Sequence, residues 1–161
     1  MDGKRPLLLL SACLAGCRCR YDGKDNKVDK IAAWHQAGLA LAVCPEVLGG
    51  LSTPRTPCEI CGKRVLDKTG ADKTDAFFNG ALRALGMAEE VACRIAVLKA
   101  RSPSCGIGAV YDGTFSHTLI PGDGLFAGML KQKGFAVCTE ENYLSLLPGL
   151  LPPEALHLLA H

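Results

Sequence analysis

Cys13, Cys44 and Cys105 each follow an apolar run, in LLLLSAC, in LALAVC and, beyond IAVLKA, in RSPSCG. If each run is a buried strand, three thiols stand at three strand ends and can converge although they are far apart in the chain. Soft thiolates suit zinc and iron–sulfur clusters. Three of them leave one coordination position open, on a zinc ion or on one iron of a 4Fe-4S cluster. Glu46 lies two residues beyond Cys44, and Ser102 and Ser104 precede Cys105. A carboxylate beside a metal-bound substrate can move protons if its surroundings bring its pKa toward neutrality, and a serine hydroxyl can orient substrate or water. The plainer alternatives are a solvated or locally paired Glu46 and serines that only stabilise the turn around Pro103.

The nine cysteines of the chain admit three readings. A secreted disulfide framework is disfavoured by the odd count, by the lack of a convincing signal peptide and by the amount of apolar sequence. Inert buried thiols are a natural reading for a single residue such as Cys93. A bound metal or cluster is the third. The long separations match neither zinc-finger nor ferredoxin spacing, so recurrence at three similar positions is what favours convergence. Cys58 and Cys61 form a CxxC that could be a redox pair, half of a second metal site or two incidental thiols. Cys17 and Cys19 could line a site. His35 and His117 share no motif with the three cysteines, and GDG at 122–124 lacks the Lys-Ser/Thr of a phosphate loop.

These residues must be positioned by a chain of 161 residues, about one domain long. Its 18 basic and 16 acidic residues are mixed, with a formal net charge of +2, and nothing in that balance asks for nucleic acid. The run PLLLLSACLAG mimics a signal peptide but is followed directly by CRCRYDGKDNK and is too short to span a bilayer. A cytoplasmic location with no membrane partner is the expectation.

The pattern alternates between strand-like and helix-like segments. Residues 7–12, LALAV at 39–43, IAVLKA and FAVCTE read as buried parallel strands. Residues 28–37 read as a helix with Ile31 and Trp34 on one face and Gly38 as its stop. Residues 72–86 read as an amphipathic helix with Phe78, Leu82 and Leu85 on one face. GLFAGMLKQKG reads as a helix ending at Gly134, YDGTF as a short hairpin or turn, and residues 51–66 as turn-rich. Helices between apolar strands predict a three-layer, Rossmann-like α/β domain with a mainly parallel sheet. It is expected to span residues 1–161 as a single domain, with a core over about 7–140. Pro148, Pro152 and Pro153 mark a C-terminal attachment. At the carboxyl ends of such strands, loops converge beside a crevice where chemistry tends to sit.

SACLAGCRCRYDG, CPEVLGGLSTPR and LKARSPSCGIGAVYDGTF, with GADKTDAFFNGA and GLFAGMLKQKGFAVCTE in the same order, resemble the bacterial domain-of-unknown-function 523 family, which includes thiouracil desulfurases. The resemblance runs from about Leu7 to Glu140. It implies a 4Fe-4S cluster held by Cys13, Cys44 and Cys105 with one iron free of protein sulfur, Glu46 as the acid/base residue and Ser102 as its companion. The implied reaction is non-redox. The thione sulfur of 2-thiouracil or a related thiolated pyrimidine meets the open iron, water attacks the thiocarbonyl carbon, and uracil and sulfide are released. A small-molecule thiopyrimidine and the cluster-assembly machinery are the implied partners. Asp22 and Asp112, in the related strings RYDG and YDGT, are expected to stabilise turns or to orient the pyrimidine. The remaining alternatives are a zinc-dependent hydrolase on the same cysteines and an iron-sulfur or zinc-binding sulfur-trafficking module.

Overall fold

Leu8, Leu9 and Leu10 are all fully buried in β1 (Leu8–Ser11), so this strand is covered on both faces, as parallel strands sandwiched by helices are. The computed structural model describes residues 5–160. After β1, a 3-10 turn over Ala12–Ala15 leads through α1 (Asp29–Gln36) to β2 (Ala40–Val43). Next come α2 (Pro45–Leu48), a hairpin of β3 (Cys58–Cys61) and β4 (Arg64–Asp67), and α3 (Thr74–Glu90). β5 (Ile95–Leu98) is followed by a second hairpin, β6 (Ala109–Tyr111) and β7 (Leu119–Pro121), then α4 (Leu125–Gln132) and β8 (Ala136–Thr139). The chain continues through α5 (Tyr143–Leu146), a 3-10 turn and α6 (Pro153–Leu159).

The central sheet has the order β2-β1-β5-β8 with every pairing parallel. Leu9, Ala96 and Leu98 face α3 and α4, packing on Ala81, Ala84, Leu85, Phe126 and Leu130. Leu8, Leu10 and Val97 face the other way, onto Ile31, Trp34, Tyr143 and Leu159. The result is the three-layer Rossmann-like arrangement that the apolar runs predict. Gly38 and Gly134 lie just past α1 and α4 with φ of +75° and +84°, the left-handed conformation that ends helices. Trp34 donates from Nε1 to the Leu159 carbonyl at 2.8 Å, tying α6 to α1. Among the described residues no helix is long and apolar enough to cross a membrane.

Three expectations need correction. The buried face of α3 carries Phe77, Ala81, Ala84, Leu85 and Ala88, whereas Phe78 and Leu82 are 48% and 46% exposed. Close approach of α2 selected the small-residue face. A Cβ on Gly80 would sit 1.8 Å from the Pro45 carbonyl oxygen, and one on Gly49 would sit 1.9 Å from that of Ala76. Within 51–66 the chain forms β3 and part of β4, joined by Gly62-Lys63, where Gly62 supplies the positive φ that a two-residue hairpin loop needs. Finally, Cys105 is not at a strand end. β5 stops at Leu98, and loop 99–104 carries the chain to the cysteine.

Candidate active site

From β1 the chain passes to β2 on one side and then returns past β1 to β5 on the other. The carboxyl ends of β1 and β5 therefore flank a topological switch point. Both hairpins are insertions at this edge, one after β2 and one after β5, and they meet above it. Glu59 Oε1 in β3 accepts the Gly113 and Phe115 amides of the β6–β7 loop at 3.0 and 3.1 Å. Sheet edge and hairpins enclose a cavity of about 380 Å³, on which Cys13, Cys44 and Cys105 all open together with Glu46 and Ser102.

Each thiol is held by its own local device. Cys13 lies in the 3-10 turn after β1, and its carbonyl accepts the Gly16 and Asn26 amides. Burial pushes its thiol up, and a hydrogen bond with the Asn26 side chain opposes that. Arg20 donates to Asn26 Oδ1 at 2.9 Å and pairs with Asp22, which orients the Asn26 amide so that its NH2 group serves the sulfur. Cys44 caps α2, with Pro45 at the first helical position. A hydrogen bond shared with the Cys19 thiol lowers Cys44 to about 7 against the effect of burial, and the same bond raises Cys19. Cys105 is only 5% exposed, so burial drives its thiol strongly upward, while Ser11 hydrogen-bonds it. Ser11 Oγ accepts the Lys99 amide at 2.9 Å, leaving its own hydrogen for that sulfur.

The SPSC turn is clamped to α4. Leu125 donates to the Pro103 carbonyl, and Phe126 and Ala127 donate to that of Ser104, so the turn satisfies amides that a helix start would otherwise leave orphaned. Ser102 Oγ accepts the Ser104 and Cys105 amides at 3.1 and 3.0 Å. It therefore stabilises the turn, and its hydrogen remains to be donated. Ser104 is buried, its hydroxyl has no hydrogen-bond partner among the described residues, and it does not line the cavity. Glu46 accepts from Arg55 Nε at 3.3 Å on Oε1, and its other oxygen accepts no hydrogen bond from the described residues. Burial raises the Glu46 carboxyl above the usual range, opposed by the Arg55 guanidinium.

Other thiols separate cleanly. Cys58 and Cys61 sit at the two ends of β3, and positions i and i+3 of an extended strand are ~10 Å apart, beyond disulfide reach. Cys58 lines the cavity, whereas Cys61 is exposed and outside it. All nine cysteines are free. Asp22 and Asp112 accept the Lys24 and Thr114 amides, and neither lines the cavity. His35 is exposed on α1, away from the site, but His117 lines it with Tyr111. Sequence reasoning passed over Arg55, Asn26, Ser11 and Glu59. RYDG and STPR carried a usable signal for Arg20 and Arg55, because an arginine beside a cysteine-bearing loop is a natural clamp for carboxylates and amides.

Among the described residues no three His, Cys, Asp or Glu side chains converge tightly enough to hold a single metal ion. The thiols instead surround a space, each on its own loop. Residues 8–142 match the family model described as 2-thiouracil desulfurase. The Bacillus subtilis (strain 168) protein YbbK, described only as uncharacterized, is 38% identical over 151 residues, covering 88% of this chain and all of YbbK. A solved structure of a 4Fe-4S-dependent thiouracil desulfidase, TudS, superposes with a TM-score of 0.85 at 39% identity, covering 90% of this chain and 97% of TudS. With the family model matched over residues 8–142 and 39% identity to TudS over nine-tenths of the chain, the chain belongs to the 2-thiouracil desulfurase family.

Proposed function

We propose that this protein removes the sulfur of 2-thiouracil or a related thiolated pyrimidine by hydrolysis, giving the oxo base and sulfide with no net electron transfer. Cys13, Cys44 and Cys105 hold a 4Fe-4S cluster in this reading. The observation that carries it is the opening of these three thiols, from three separate loops, on one cavity with Glu46 and Ser102. The donor set suits a cluster better than a lone ion. Cys13, Cys44 and Cys105 would hold such a cluster from three separate loops, and soft thiolates suit it. Cys44 is already inclined toward thiolate, while Cys13 and Cys105 are held as thiols by burial until a positive centre displaces their protons.

When bound, a cluster with one iron free of protein sulfur supplies a Lewis acid and an acceptor for the thione sulfur. The chain's own residues handle the rest. Glu46 keeps a proton beyond the usual carboxylate range and lines the cavity, where it can exchange that proton with the base or with water. Ser102 lines the same space with a hydrogen left to donate, and it fixes the Cys105 turn with its oxygen. Lys99 favours the Cys13 thiolate, and its ion-pair partner Glu140, at 2.8 Å, opposes that effect. In balance, a C=S bond and one water become a C=O bond and hydrogen sulfide. In the cell, cluster-assembly machinery in a cytoplasmic setting would load the site.

The test is anaerobic reconstitution with iron and sulfide, followed by measurement of sulfide and uracil formed from 2-thiouracil in the absence of any reductant. Equimolar products are expected. An intact cluster with no release from 2-thiouracil, 4-thiouracil or their nucleosides and nucleotides would reject the substrate assignment.

A further inference from the structure

His117 and Phe115 have φ of +60° and +58°, a left-handed backbone that side chains other than glycine rarely adopt. Such conformations persist where surrounding contacts over-determine them, and they concentrate at ligand clamps. Here the contacts are explicit. Glu59 grips the Gly113 and Phe115 amides, and Asp112 donates its amide to the Thr118 carbonyl at 2.9 Å. The hydroxyls of Thr114, Ser116 and Thr118 form a chain with separations of 2.6 and 2.8 Å. Gly113 packs so closely that an added Cβ would stand 2.8 Å from the Ile60 carbonyl oxygen. The β6–β7 hairpin is thus locked onto β3.

What the lock orients is a pair of rings. Tyr111 and His117 lie edge to face, with centroids 5.9 Å apart at 83°, and both line the cavity that carries Glu46, Ser102 and the three thiols. Two perpendicular rings offer one face for stacking and polar ring atoms for the edge of a flat heterocycle. Small-molecule sites combine such a wall with a few placed polar groups.

We propose that Tyr111 and His117 are the wall on which the pyrimidine ring rests, so that the β6–β7 hairpin selects the base while the sheet edge performs the chemistry. This rests on the desulfurase reading. Sequence alone hid it, because His117 shares no motif with the cysteines and reaches the site only through the hairpin.

The experiment compares wild type, H117G, Y111L and Y111F as anaerobic, cluster-loaded proteins. It measures iron and labile sulfide, kcat and KM with 2-thiouracil, and the calorimetric Kd of uracil, which needs no turnover. H117G removes the ring while suiting the left-handed backbone, so it should fold at least as well as wild type. H117G and Y111L should keep their iron and raise both KM and the uracil Kd about tenfold, with kcat changed less than about twofold. Y111F should recover most of the affinity that Y111L loses. If wild type releases sulfide and both ring-removing variants retain KM and Kd, the wall is refuted and the desulfurase reading stands. If wild type binds uracil but releases no sulfide, the desulfurase reading falls, and loss of uracil affinity in H117G still supports the wall. Failure of wild type to bind uracil or turn over 2-thiouracil refutes both.

Discussion

Arg55 contacts Glu46 through Nε to Oε1 at 3.3 Å while its Nη2 donates to the Cys19 carbonyl at 2.9 Å. One guanidinium, almost wholly buried, therefore ties the Cys44 arm to the loop that carries Cys19. Glu46 itself lines the cavity. Burial raises the Glu46 carboxyl and Arg55 opposes that rise, so the pair sets the proton affinity at the site.

The sign of the pH dependence follows. A raised folded-state value means that the folded protein holds this proton more readily than the unfolded chain. Its contribution to stability is full below the ordinary carboxylate range and is lost as pH rises through the raised value. If proton donation by Glu46 limits turnover, single-turnover sulfide release falls with pH across the same window. Arg55→Gln should move that fall to higher pH, because it removes the charge that lowers Glu46. Glu46→Gln should abolish the fall and slow release by about 100-fold or more, with iron content largely kept. An unchanged rate in Glu46→Gln would remove the residue from proton transfer.

Cys13→Ser, Cys44→Ser and Cys105→Ser should each lose stable cluster, since a hydroxyl does not replace a thiolate ligand. Cys61→Ser should match wild type, its side chain being exposed outside the cavity, and Cys58→Ser should retain most of the iron. Iron and labile-sulfide analysis after anaerobic reconstitution decides. Full retention in the first three, with collapse only at Cys58 or Cys61, would overturn the ligand set.

Ser102→Ala should strand the Ser104 and Cys105 amides at a cost of about 1–3 kcal/mol and remove a hydroxyl from a residue that lines the cavity. Both cluster retention and rate should drop. Ser102→Thr keeps an acceptor and should hold iron better than the alanine variant. Equal iron loss in the two would show that the hydroxyl oxygen does not secure the turn.

Gly80→Ala places a methyl against the Pro45 carbonyl and should force α2 away from α3. Overpacking of this kind costs about 1–3 kcal/mol, readable as a shifted urea midpoint. Because α2 begins at Cys44, iron affinity should fall as well. Gly86→Ala is the control, since nothing lies within 4 Å of an added Cβ there.

The runs LLLL, LALAV, IAVL and FAVC by themselves determined the parallel sheet. A strand covered on both faces must be apolar throughout, and no solvent-facing element needs that pattern. Cys13 and Cys44, directly after two of those runs, were placed at the sheet edge for the same reason, and Gly38 and Gly134 marked helix ends through their backbone freedom alone. Each of these inferences uses local information.

Tertiary structure decided the rest. Phe77 and Phe78 are interchangeable by composition, and the packing of α3 on the sheet, α4 and α2, with Gly80 against Pro45, turned Phe77 inward. Cys105 reaches the cavity because α4 fastens its turn from the far side, which a strand-end argument does not contain. Arg55 meets Cys19 across 36 positions, and Glu59 meets Gly113 across 54, bringing Tyr111 and His117 to the cavity that the thiols line. Such pairings are chosen by the free energy of packing whole layers together, where burial and hydrogen-bond satisfaction are settled jointly. No single segment carries the information for them.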